Sequence, residues 1–336
     1  MPHRTAPVQS VQVYSADMLR VSAGANLGDG VSWHQELDLD DIYMLDAGAD
    51  RARLSLQPDA TGGFHVAEET GIGRPGAPLH LDCALTFMSP DGLTQVVIVM
   101  VELDAEDQIA AIYLLSLSVL RPKIEYSLVG IDTDGAREHF ARVACVYFTR
   151  GTHITMHTGE QRRIETLQAG DRVLTRDDGA QEIHWIGSST IRAQGAMAPV
   201  VIEAGALNND HDLVVSPDHR LFVYQRKDRI GAGQAEIMVK ARHLVNGDTV
   251  RVAEGGFVDY FQILFERHHI IYAEGIAAES MLVDPRTRPA LPPDMLDKLT
   301  EVMPGHARSG QHGVDVQEAL LDRPDAIDIL RRASSR

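Results

Sequence analysis

Four side chains in this sequence carry nucleophilic or proton-transferring groups in positions worth weighing: Cys145, Ser216, His219 and His268. An imidazole titrates near working pH and can give or take a proton, and a thiol or hydroxyl is a nucleophile once a neighbour activates it. Cys145 is flanked by Val143, Ala144 and Val146, and reads either as a reactive thiol or as a buried small hydrophobe. His219 closes Ser216-Pro-Asp-His219 and precedes the alternating Leu221 and Val223, so it is either a hydrogen-bonded core histidine or an active-site group. His268-His269 reads as a solvated pair at a strand end or as part of a metal site. No third ligand follows it at a recognisable spacing, and no metal is assigned. Asp38-Leu-Asp-Asp41 and Asp132-Thr-Asp-Gly135 lack the later acidic ligands of a calcium loop, and read as an exposed edge and a turn. With no Gly-rich phosphate loop and no nucleophile elbow, small-molecule catalysis is not expected and no cofactor is assigned.

The elements that must position these groups are mostly strands. Arg51-Ala-Arg-Leu-Ser-Leu alternates, Ile109–Leu120 is rich in aliphatic residues, and turn clusters such as Arg74-Pro-Gly-Ala-Pro and Ser89-Pro-Asp-Gly separate the runs. That punctuation predicts an all-β sandwich or barrel from about Val11 to Asp134, with Gly135–Ala144 as a short helix or connector. A second β-rich unit follows and holds an internal repeat. Leu167-Gln-Ala-Gly170-Asp171-Arg-Val173 is echoed by Leu244-Val-Asn-Gly247-Asp248-Thr-Val250. In each copy Gly accepts positive φ and Asp bonds the following backbone, which makes a tight turn leading into a strand. Asp177-Asp-Gly179 is a hairpin signal. After Pro292, Pro293–Met303 and Val314–Arg332 are short helix candidates.

Composition bounds the function. A chain of 336 residues, 44% of them hydrophobic, has ample material for two or three cored domains and is not a disordered protein. The formal net charge of −17 makes it a poor nucleic-acid binder, since there are few cations to displace counterions. Two cysteines, Cys83 and Cys145, cannot build a disulfide scaffold. The longest apolar runs, such as Val97–Val101, fall far short of the ~20 residues of a transmembrane helix. Met1–Ser10 has no signal-like apolar core, which points to the cytoplasm or to export by a route without a cleavable signal.

Three segments, taken together and in order, carry a resemblance. They are Phe148–Thr175, with Gly151-Thr152 and Gly170-Asp171; Val215-Ser216-Pro-Asp-His219; and Tyr260–Gly275, with His268-His269. Over about Val143–Val283 the sequence resembles the Hint superfamily, the self-processing module shared by Hedgehog autoprocessing domains and inteins. It is most similar to bacterial proteins that carry a Hint unit behind another β domain. The resemblance implies an all-β fold: a pseudo-twofold β horseshoe over 141–290, behind a β-sandwich-like domain over 1–140. A helical or partly ordered acidic tail would occupy 291–336. It also implies that the substrate is the chain itself, through an N→S or N→O acyl shift. A short Cys or Ser side chain closes a five-membered ring on the carbonyl of the preceding residue, and the departing nitrogen must be protonated. By the resemblance His219 stands at the scissile nitrogen, Ser216 supports the geometry and His268 acts in later steps. Gly151, Thr152 and Asp171 match supporting positions.

The sequence also departs from that pattern. The usual nucleophile slot, four residues before Gly151, holds Tyr147, whose phenol cannot close the small ring. Cys145 stands two residues earlier, so either Cys145 attacks the Ala144–Cys145 bond or the first step has been lost. No His-Asn closes the unit, and splicing is not expected. Two functions follow: self-cleavage at the junction, or a non-catalytic secreted or surface β-rich scaffold that binds a protein partner through an inactive Hint body.

Overall fold

Strand pairing dominates the computed structural model, which describes residues 8–59, 63–224, 236–284, 286–291, 314–315 and 329. Two compact units are formed: Met1–Ala144 with Pro285–Ala290, and Cys145–Asp284 with Leu291–Arg336. The helix candidate Pro293–Met303 lies outside the described residues. So does most of Val314–Arg332, whose first two residues form a short strand parallel to Glu236–Lys240. Among the described residues, no helix is long and apolar enough to cross a membrane.

In the first unit the strands close into a ring. Pro78–Met88 pairs with Thr94–Leu103 along one edge, and with Phe64–Val66 and then Glu125–Asp132 along the other. From Phe64–Val66 the pairing runs through Ala52–Pro58, Gln9–Ser15 and Ile109–Ser116 back to Thr94–Leu103. Closure makes the unit a barrel where the sequence allowed sandwich or barrel. It is possible because Pro78–Met88 is 11 residues long and bulged between Leu81 and Cys83, so one strand serves three partners. Closing the ring also removes exposed edges. The apolar run in Thr94–Leu103 is explained by burial on both faces. Val97, Val99 and Val101 join one core with Tyr43 and Phe87, whereas Ile98 and Met100 join another with Leu54, Leu56 and Phe140.

Helix α1 (Gly135–Ala144) follows Glu125–Asp132. The Asp132 carboxylate accepts the N–H groups of Asp134 and Gly135 at 3.0 and 2.9 Å and starts it, so this acidic stretch is a turn, as its sequence predicted. Phe140 meets Phe64 edge-on at 5.2 Å, and the helix stops at Ala144.

The second unit folds two sheets around one core. The first sheet orders Trp185–Arg192, Phe257–Leu264, Phe148–Thr149, Leu213–Val215, Val200–Ile202 and Val250–Val252. The second runs from Gln161–Arg163 through His153–Thr155, Ile270–Ala273, Ile276–Glu279 and Arg220–Tyr224 to Glu236–Lys240. Both repeat copies adopt the same local form. Gly170 and Gly247 have φ of +94° and +75°, each after a 3-10 turn (Ile164–Thr166 and Ala241–Leu244). Leu167, Val173, Leu244 and Val250 all enter the common core. Asp177-Asp-Gly179 joins the hairpin of Arg172–Leu174 and Ala180–Glu182, with Gly179 at φ +65°.

Candidate active site

Phe148–Thr149 is the entry strand of the second unit, held between Leu213–Val215 and Phe257–Leu264 through the partners Val215 and Phe261. Directly after Leu213–Val215 the chain turns through Ser216-Pro-Asp-His219, closed by the His219 N–H donating to the Ser216 carbonyl at 3.0 Å. Pairing and turn together bring Ser216 and His219 against the residue that precedes the strand. The Tyr147 N–H donates to Ser216 Oγ at 3.0 Å, and the Ser216 N–H donates to the Tyr147 carbonyl at 3.0 Å. Ser216 Oγ in turn donates to the Cys145 carbonyl at 3.5 Å. Nδ1 of His219 lies 3.0 Å from the Tyr147 carbonyl oxygen, and Nε2 lies 3.1 Å from that of Glu279. All four residues, Cys145, Tyr147, Ser216 and His219, are buried. The Phe148 ring stands edge-on to the His219 imidazole at 4.4 Å, and the Tyr147 ring lies 4.9 Å from that of Tyr260.

His219 is fully enclosed, and burial pushes its pKa below the ordinary value of 6.5, although the Glu279 carboxylate and the two carbonyls pull the other way. The neutral ring has one N–H for two facing carbonyl oxygens, so it donates to only one of them until it takes up a second proton. Because the folded pKa lies below the unfolded one, the unfolded chain binds the extra proton first, and stability falls as pH drops below about 6.5. The expected slope from this group is at most about 1.4 kcal/mol per pH unit. Urea midpoints measured at pH 7.5 and 5.5 should differ more in the parent chain than in His219→Gln. Equal pH dependence in the two would contradict this account.

His268 lies against a buried carboxylate. Its Nε2 lies 3.3 Å from Glu279 Oε2, and Arg220 Nε spans the same carboxylate at 2.8 and 2.9 Å. Burial opposes a charged Glu279, but Arg220 and His268 outweigh it and hold the carboxyl well below the usual range. The solvated His268-His269 pair expected from sequence is not observed. Both rings are buried because both faces of the strand they open are covered, and His269 Nδ1 instead lies 3.1 Å from Asp178 Oδ2. Asp218, inside the Ser-x-x-His turn, is held by Lys240 at 3.0 Å and by Arg242; these cations keep its carboxyl low against the effect of burial.

The remaining positions shape turns. Gly151, at φ +91°, donates its N–H to Glu165 at 2.8 Å. The buried Thr152 donates its N–H to the Thr149 carbonyl, and its own carbonyl accepts the Ile164 N–H at 2.8 Å. Asp171 accepts from Arg162 at 3.2 Å and from the Gln168 N–H at 2.9 Å. Sequence reasoning missed Arg220 and Glu279. The signal was an arginine and an acid at the ends of two apolar strand runs, Leu221–Val223 and Ile276–Ala278.

The family model described as Hint domain matches residues 145–285. Among solved structures, a crystal structure of the gp41-1 intein carrying three substitutions is matched at 13% identity. That match covers 40% of this chain and 98% of the intein chain, with a TM-score of 0.25. No curated protein matches.

Proposed function

We propose that residues 145–285, which the Hint domain family model matches, form a self-processing module that cleaves its own backbone between Ala144 and Cys145. The supporting observation is the reach of one side chain. The Ser216 hydroxyl lies between the Cys145 carbonyl and the Tyr147 N–H, so the Ser-x-x-His turn grips the chain just downstream of that bond. The two compact units also divide between Ala144 and Cys145.

In the proposed step the Cys145 sulfur bonds to the Ala144 carbonyl carbon, the carbon–nitrogen bond breaks, and the thiol proton ends on the Cys145 nitrogen. A thioester then joins the two fragments. Water, or an added thiol followed by water, opens it to an Ala144 carboxylate and a Cys145 thiol. Ser216 and His219 act as positioning residues, since their bonds are to the Cys145 carbonyl and to the Tyr147 peptide.

A second reading has its own observation. In the slot where the family keeps its nucleophile, Tyr147 has N–H and carbonyl both engaged and its ring packed on Tyr260, which suits an inactive Hint body kept as a binding scaffold. Intact mass of the purified full-length chain, with and without added thiol, separates the two. Self-cleavage gives fragments 1–144 and 145–336, more of them with thiol and none in Cys145→Ala. One full-length species under every condition, unchanged in Cys145→Ala, would overturn cleavage and leave the scaffold.

A further inference from the structure

A second cluster of ionisable groups shares no residue with the one around Ser216. His153 Nδ1 lies 3.0 Å from Oε1 of Glu274, and His211 Nδ1 lies 2.9 Å from Oε2 of the same carboxylate. The two imidazole centroids are 5.1 Å apart, and one ligand atom from each of the three residues lies within 4.8 Å of the others. Glu274 is buried, and its Oε1 also accepts the His153 N–H at 2.7 Å. His211 is 63% exposed in its side chain, so the cluster opens to solvent on one side and is anchored on the other.

The turn that carries Glu274 adds a second observation. Ile270–Ala273 and Ile276–Glu279 form a hairpin with a two-residue turn, Glu274-Gly275, at φ +49° and +80°. Such turns favour Asn-Gly or Asp-Gly, because a longer side chain is strained at positive φ. Here the disfavoured residue puts a buried carboxylate between two imidazoles.

We propose that His153, His211 and Glu274 bind one divalent transition-metal ion, zinc as the first choice, with a remaining coordination position open beside His211. Two imidazole nitrogens and a carboxylate oxygen are a donor set that zinc takes, at about 2.0–2.1 Å per bond. Tetrahedral angles then put neighbouring ligand atoms about 3.3 Å apart. The observed separations of 2.9 and 3.0 Å open to that value by a few tenths of an ångström. In the empty cluster each Nδ1 donates to the carboxylate. Metal binding moves each ring's proton to Nε2, so that two neutral imidazoles and one carboxylate meet the ion, and the open position beside His211 leaves the remaining positive charge towards solvent. The ion would tie His153–Thr155, the loop ahead of Leu213–Val215 and the Glu274-Gly275 turn into one body. This inference is independent of whether the Ala144–Cys145 bond is cut.

The test is titration of the EDTA-treated full-length chain with zinc by calorimetry, and with cobalt by visible absorption. The parent chain and His157→Ala, which removes an exposed imidazole outside the cluster, should each bind one equivalent, with a tetrahedral cobalt spectrum and a raised melting temperature. His211→Ala, which alters an exposed side chain, should weaken zinc binding at least tenfold, and Glu274→Gln should weaken it too. Absence of saturable binding in the parent chain would overturn the proposal. So would unchanged affinity and stoichiometry in His211→Ala, since the ion would then sit elsewhere.

Discussion

Replacing Arg220 with methionine should destabilise the second unit by about 3–5 kcal/mol, the cost of leaving a buried carboxylate without its cation. Glu279 is almost fully enclosed, and Arg220 meets it through its side chain and through its backbone N–H at 3.2 Å. Methionine retains the stem and removes the charge, so His268 becomes the nearest remaining cationic partner. The carboxyl must then take up a proton or draw in water. The pH dependence has a definite sign. In the parent chain the Glu279 pKa is depressed below its ordinary 4.5, so its contribution is present above about pH 4.5 and is lost as pH falls further. Arg220→Met should have less of this contribution to lose in acid. Urea unfolding at pH 7 measures the main effect, and Arg220→Met with Glu279→Leu should recover part of it, because removing both charges leaves neither buried alone. A loss below 1 kcal/mol in the single variant would mean that the pair does not hold this strand.

Part of this architecture was written locally, and that part was legible. The Gly170 and Gly247 turns, the Asp177-Asp-Gly179 hairpin and the Asp132 turn into helix α1 each depend on a few adjacent residues whose φ preferences and side-chain acceptors are visible in sequence. The Ser-x-x-His segment was legible through its resemblance to the Hint family's element, and its turn is closed by the His219 N–H on the Ser216 carbonyl. Ring closure of the first unit was not legible, because it requires Pro78–Met88 to accept three partners across long stretches of chain. Arg220 and Glu279 were missed because each stands at the end of an apolar run far from the other in sequence, and it is their pairing that explains them. The cluster of His153, His211 and Glu274 was hidden in the same way: its residues come from three separate segments that no short spacing along the chain links. Counting back from Gly151 did identify Tyr147 as the unusual occupant. That Ser216 and His219 engage its N–H and carbonyl, while Ser216 also reaches back to the Cys145 carbonyl, took hydrogen-bond geometry to see.

Tyr147→Cys in a Cys145→Ala background should turn an uncut chain into one that breaks between Val146 and residue 147, giving fragments 1–146 and 147–336. The peptide ahead of residue 147 is already gripped from both sides. Its nitrogen, the atom that must leave, is bonded to Ser216 Oγ at 3.0 Å, and the carbonyl of the same residue is held by the Ser216 N–H and faces His219. What the slot lacks is a short nucleophile. The Tyr147 hydroxyl lies across a rigid ring from the backbone, whereas a thiol on Cβ can reach the Val146 carbonyl carbon and close a five-membered ring. The substitution empties space beside Tyr260 and should lower stability by about 3 kcal/mol, so incubation belongs at low temperature, with circular dichroism to confirm the fold. Tyr147→Ala in the same background creates a similar cavity without a nucleophile and should remain full length, with or without added thiol. If the folded Tyr147→Cys variant also stays whole in thiol, then Ser216 and His219 no longer activate the bond they hold. Cleavage there, alongside an intact parent chain, would instead show that the machinery is sound and that the tyrosine alone has silenced it.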